Sequence, residues 1–362
     1  MFKIYGLLLL IVILFALLPP GVAEYHPDID ERIVTDMMNR SVHLKGTVKR
    51  TMLFTPMPGH YITVDGGDTH IAYVAGYLRE EASGTLLGDI FPDFSTKKEA
   101  LTSESAVPLG VEQILLEKPD AVLSWAWFAH DLENVRFPGI VELINNNDPE
   151  EAVLFKLLGK LTGKTKRAEA LLQRYDREME NIRACGLNKT QKTRLAVIGN
   201  DNYFFWNKNF RAFNNIVKEI GGVNVAESIH RTFNGSMSIE EIIKMNPQVI
   251  FLAFFYSNHL MPSAIYGHPA LRSIDAVRNH RVYRMPNGVS RMSGPVETPL
   301  LLGWMARLLH PEIPWADSFR DEIYRTYHEV YGYTLSEAQI DKMLNINENK
   351  YSDHYKKFLF NR

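Results

Sequence analysis

Residues 110–123 read GVEQILLEKPDAVL and residues 238–251 read SIEEIIKMNPQVIF. Laid end to end, they put Glu112 on Glu240, Ile114 on Ile242 and Pro119 on Pro247. In each stretch, apolar residues spaced i, i+3, i+4 (Val111, Ile114, Leu115; Ile239, Ile242, Ile243) predict one face of a short helix. A proline follows, and then an apolar run, AVLSWAWF in one copy and VIFLAFF in the other, that predicts a buried strand. A helix feeding a strand, once in each half of the chain, predicts an α/β protein of two similar lobes. Clefts between lobes are where small ligands bind.

Working outward, RTMLF (50–54) predicts a first core strand that ends in Thr55-Pro56-Met57-Pro58-Gly59, and RLAVIG (194–199) is its counterpart in the second half. Residues 33–50 predict an edge hairpin turning at Asn39-Arg40, where Asn tolerates a left-handed backbone. The glycine-bearing stretch 66–90 reads as helix plus loop. Residues 150–184 are rich in helix formers at helical spacing, divided by Thr162-Gly163, and predict a helical spine between the lobes. A stiff spine permits only small rigid-body movement. RVYRMP (281–286) predicts a last strand, followed by the loop NGVSRMSGPVETP and the helix LLLGWMARLLH; the tail 316–362 reads as helical and suited to packing on the outside. The expected organisation is a signal segment (1–23), an N-terminal lobe (24–150), the spine (151–186), a C-terminal lobe (187–300) and C-terminal helices (301–362). Each lobe is expected to hold a mostly parallel sheet flanked by helices.

A formal net charge of −2 argues against nucleic acid, which would call for a basic face. Lys3, the apolar run LLLLIVILFALL, Pro19-Pro20 and the small residues Gly21 and Ala23 have the form of a cleavable export signal. The apolar run is short for a membrane span, although retention as an anchor is the alternative. Cys185 is the single cysteine and reads as a bystander thiol, so no intrachain disulfide and no lipid-anchor cysteine is expected. The expected product is a soluble, monomeric, periplasmic protein.

Catalytic signatures fail on inspection. Gly163-Lys164-Thr165 lies one residue too close to Gly159 for a phosphate loop, and HExxH, GxSxG and GxGxxG are absent. Ser238 and Glu241 have capping-box spacing, which leaves Glu240, and by equivalence Glu112, free at a helix start. Each alone would do no more than complement a helix dipole. Equivalent placement on two lobes lets a partner be gripped at two symmetric points by charge-assisted pairs with arginine. The cleft residues are expected in loops at the carboxyl ends of strands. They are Met57, His60, Tyr61, Trp125, Trp127 and His130 in the first lobe, and Tyr203, Phe205, Trp206, Lys208, Arg211, Tyr256, His259, Arg291 and Glu297 in the second. Aromatics supply rigid walls, while Arg, Lys, Tyr and His hold an anionic or metal-chelated ligand; for any one of them a structural role is the competing reading.

The chain resembles the helical-backbone substrate-binding proteins of ABC importers for ferric siderophores, haem, cobalamin and related metal compounds. The resemblance runs through VTDMMNRSVHLKGTVKR, VEQILLEKPDAVL, LLGKLTGKTKRAEALLQRY, FNNIVKEIGGVNVAES, HPALRSIDAVRNHRVYRMP and LLLGWMARLLHPE, in that order. Asn39 stands where the family commonly has glycine. The resemblance implies two lobes joined by one long helix, and gives Glu112 and Glu240 the role of docking onto arginines of an ABC permease and, through it, its ATPase. It implies no chemistry and no cofactor of the protein's own. The ligand expected first is an iron(III)–siderophore chelate; a corrinoid, haem or a molybdate-like oxyanion are alternatives, and the metal is left unassigned. Two readings compete from other classes: an exported metalloenzyme using scattered His, Asp and Glu, and a sensor that uses the fold to regulate a membrane partner.

Overall fold

The computed structural model describes residues 31–54, 58–101, 111–126, 133–134, 137, 139–143, 151–189, 192–200, 202–203, 205–229, 236–253, 260–315 and 317–360. The signal segment, Met57, Gly110, Trp127, His130, Tyr256 and His259 lie outside the described residues. Strands β1 (Glu31–Thr35) and β2 (Ser41–Lys45) form the expected antiparallel hairpin, with Asn39 at φ 61° in its turn.

The first lobe runs β3 (Thr51–Leu53), α1 (Pro58–Asp65), β4 (Ile71–Ala75), α2 (Gly76–Ala82), α3 (Leu86–Ile90), β5 (Lys98–Leu101), α4 (Val111–Glu117), β6 (Ala121–Trp125) and β7 (Ile140–Leu143). Its strands pair in parallel in the order β5-β4-β3-β6-β7. Helices α5 (Glu151–Thr162) and α6 (Thr165–Ala184) form the spine, divided at Gly163 (φ 72°) as the sequence predicts. The second lobe runs β8 (Thr193–Ile198), α7 (Arg211–Glu219), β9 (Gly222–Asn224), α8 (Ile239–Met245), β10 (Val249–Leu252), α9 (Pro262–Gly267), α10 (Asp275–Arg278) and β11 (Val282–Arg284), with parallel order β11-β10-β8-β9. The two sheets share one topology, β4-β3-β6-β7 against β9-β8-β10-β11, and the first adds β5 at an edge.

The repeat extends to side-chain hydrogen bonds. Lys118 and Asn246, equivalent by sequence, both take a left-handed backbone (φ 47° and 40°) between helix and strand. Asp120 Oδ2 accepts the Arg50 backbone N–H at 2.9 Å, and Gln248 Oε1 accepts that of Arg194 at 2.9 Å. The Arg50 guanidinium donates to the Glu117 carbonyl at the end of α4, and the Arg194 guanidinium donates to the Met245 carbonyl at the end of α8. Each arginine thereby satisfies a carbonyl the helix end leaves unpaired.

Two expectations need correction. The stretch 66–90 also contains a full core strand, β4, placed between β3 and β5. The tail is part of the core: Tyr327, Ile340, Tyr355 and Phe358 are buried, and Trp304 of α11 (Gly294–Leu309) donates its indole N–H to the Tyr355 hydroxyl at 3.2 Å. The tail contains α12 (Phe319–Tyr331) and α13 (Glu337–Met343). Past them, the Asn349 amide pairs with both backbone groups of Arg284, accepting at 2.7 Å and donating at 2.9 Å. Ser352 Oγ donates to the Val282 carbonyl at 2.5 Å. These side chains cover the outer edge of β11, which would otherwise stand open to pairing.

Candidate functional site

The lobes meet where α1 begins. Pro58 occupies the first position of α1, where its missing N–H costs nothing. Gly59 follows against the loop after β11: a Cβ there would lie 2.3 Å from the Val289 carbonyl oxygen, so only glycine lets the two backbones touch. His60 and the loop Asn287–Arg291 line a narrow cleft with Leu78, Ala82, Thr85 and Leu87.

Glu297, in the first turn of α11, shapes that loop. Its carboxylate accepts the backbone N–H groups of Val289 (2.8 Å), Ser290 (2.9 Å) and Met292 (2.9 Å) and the Tyr327 hydroxyl (2.6 Å). Arg291 and Met292 take positive φ of 55° and 58°, which turns the backbone around the carboxylate. Burial pushes the Glu297 carboxyl up from its ordinary pKa, and these four donors pull it back. Glu297 therefore sits beneath the loop, not in the cleft as the sequence suggests.

His60 is buried with its ring edge-to-face on Phe155, centroids 5.9 Å apart, and its Nε2 is 3.5 Å from Ser293 Oγ. Burial, and then the positive charge of Arg291, lower its pKa to about 4. The ring is neutral at neutral pH and able to accept a hydrogen bond or a metal. Arg291 is half-buried at the cleft wall and supplies a fixed positive charge. Asn287 lines the same cleft, and its buried Oδ1 finds no hydrogen-bond partner among the described residues. A buried acceptor without a donor is costly unless something else supplies the bond.

The other sequence-selected residues divide by direction. Tyr61 is 1% exposed, with its hydroxyl 2.9 Å from Thr51 Oγ1, so it belongs to the core and not to the cleft. Phe205, bridged through its backbone to Ile198, is also a core residue. Trp125 ends β6 and is buried. Trp206 is half-buried, stacked on Phe210 at 4.8 Å and edge-on to Phe213. Lys208 and Arg211 are exposed near the start of α7 and are not among the residues that line this cavity. Glu112 and Glu240 are exposed in the first turns of α4 and α8. The capping box is present: Ser238 Oγ accepts from the Glu241 N–H, and the Glu241 carboxylate accepts from the Ser238 N–H. Asn287 was missed, although its position just past β11 satisfied the strand-end rule that selected Arg291. Among the described residues no three His, Cys, Asp or Glu side chains are grouped to hold a metal ion, and no described helix is long and apolar enough to cross a membrane.

Residues 95–289, more than half of the chain, match the model of a family described as periplasmic binding protein. A stretch of 205 residues, 54% of this chain, is 26% identical to an iron-uptake system-binding protein of Bacillus subtilis; it spans 63% of that protein's length. A periplasmic solute binding protein from Veillonella parvula superposes with a TM-score of 0.76 at 25% identity, over 88% of this chain and 98% of its own. The molybdate-bound binding protein MolA of Haemophilus influenzae shares the fold at 15% identity, with a TM-score of 0.70 over 84% of this chain and 99% of its own.

Proposed function

The chain belongs to the periplasmic binding protein family, and from that premise we propose that it captures an anionic metal chelate, foremost an iron(III)–siderophore complex, between its lobes. It then delivers the chelate to an ABC permease that docks on Glu112 and Glu240, and performs no chemistry on it. Members of this family are the substrate-binding components of ABC importers, and its solved relatives are built from two lobes. Export by cleavage after residue 23 belongs to the same reading.

The observation that carries it is the cleft of His60, Arg291 and Asn287. The cavity there is only about 20 Å³, so the lobes must open to admit a chelate. A neutral imidazole, a cation and an acceptor unpartnered among the described residues then suit one that is negative overall and carries an N–H or O–H group at its rim. The iron-uptake name of the Bacillus relative favours iron as the metal. A molybdate-like oxyanion is less well served, because three N–H donors of the cleft loop are spent on Glu297. Among the described residues a flat corrinoid or haem finds less support still, since Trp125 is buried and Trp206 is packed on Phe210 and Phe213.

Calorimetric titration of the purified protein against ferric catecholate and ferric hydroxamate siderophores, haem, cobalamin and molybdate tests the reading. Tight binding of a ferric chelate is the expected result. Tight binding of molybdate with no response to any chelate would overturn it.

A further inference from the structure

The two repeat units share a feature on their outer faces. Ile114 and Ile242, at equivalent positions of α4 and α8, are buried and anchor each helix to its sheet. One residue further on, Leu115 is 44% exposed and its equivalent Ile243 is 37% exposed. Residues three apart share a helix face, so Leu115 stands beside Glu112 and Ile243 beside Glu240. Leu116, 74% exposed, widens the first patch, while its equivalent Lys244 is polar. A single exposed aliphatic residue needs no explanation. The same carboxylate–aliphatic pair at the same place on both lobes does.

The placement is also functional in direction. Each helix turns back into its parallel strand through three residues, 118–120 and 246–248, one of them left-handed. Its first turn therefore lies beside the carboxyl end of that strand, the same sheet edge from which α1 and the Asn287–Arg291 loop reach the cleft.

We propose that each lobe docks through a composite patch, Glu112 with Leu115 and Glu240 with Ile243, and that the partner presents a basic residue beside an apolar hollow, twice. The partner is the membrane permease of the transport reading, on which this inference rests. The carboxylates steer and orient the encounter, and the desolvated aliphatic side chains slow dissociation.

The test measures binding of the ligand-loaded protein to its permease–ATPase complex in lipid nanodiscs, at low and at moderate salt. Leu115→Ser with Ile243→Ser is expected to weaken binding roughly ten-fold or more, mostly through a faster off-rate and equally at both salts. Leu115→Ile with Ile243→Leu should restore wild-type binding. Glu112→Ala with Glu240→Ala should weaken it through a slower on-rate and flatten its salt dependence. Thermal unfolding of each variant, expected to match wild type, shows that the fold is intact. Loss with the glutamate pair but none with the serine pair would overturn the composite patch and leave the docking reading standing. No loss with either pair, or no binding by the wild-type protein, would overturn both.

Discussion

At the scale of the residue, His60 and Tyr61 are neighbours with opposite fates. Successive residues of a helix point about 100° apart, so one faces the cleft while the other reaches Thr51 on β3. The sequence locates both at a strand end but carries no direction for either side chain. The same gap misplaces Phe205 and Glu297. His60 also makes stability depend on pH, with a definite sign. Its folded pKa is about 4 against an ordinary 6.5. Between those values the unfolded chain binds more protons, so the contribution is complete above the upper value and lost as pH falls through the lower one. The gap corresponds to about 3 kcal/mol. Urea unfolding at pH 7 and pH 4.5 should show a large stability difference for the wild type and a smaller one for His60→Gln; an equal difference in both would contradict the assignment. Arg291→Ala should weaken a ferric chelate on the order of ten-fold or more, because the ligand's charge loses its half-buried partner. An unchanged affinity would remove Arg291 from the site.

At the scale of the element, the helix–strand repeat was legible because its signals are local: apolar spacing, a proline and a following apolar run. Equivalent arginines, Arg50 and Arg194, then bind the unit to the preceding strand in both lobes. Strand β4 was not legible. Its sequence, IAYVA, is five residues long and follows Gly66-Gly67, and only its parallel pairing with β3 and β5 distinguishes it from loop. The cleft loop is an element held from one point. Glu297→Ala would leave the N–H groups of Val289, Ser290 and Met292 without their acceptor. It should cost about 3 kcal/mol or more in urea unfolding and weaken ligand binding as well. A loss below about 1 kcal/mol would mean that the loop holds its shape without the carboxylate.

At the scale of the molecule, the spine and the tail together fix how the lobes sit. The tail grips the β11 edge through Asn349 and reaches the first lobe through the Tyr331 hydroxyl, 2.9 Å from Thr63 Oγ1, and the Lys342–Asp89 pair at 3.3 Å. Arg167 of the spine donates to the Thr63 carbonyl at 3.0 Å and to the Val330 carbonyl at 2.6 Å, joining all three parts. Opening of the cleft is therefore expected as a rigid-body movement of the lobes, not as a rearrangement within either lobe. The two-lobe architecture was legible from the repeat, whereas the tail's role was not, because its contacts join residues far apart in sequence. The central claim is that an anionic metal chelate occupies the cleft. Native mass spectrometry of the protein isolated from its own source cells, with an absorption spectrum of the same sample, tests it most directly. The account predicts a retained mass of a ferric chelate and a matching visible band, both lost in Arg291→Ala. A retained molybdate or organic solute with no metal-chelate band would contradict it.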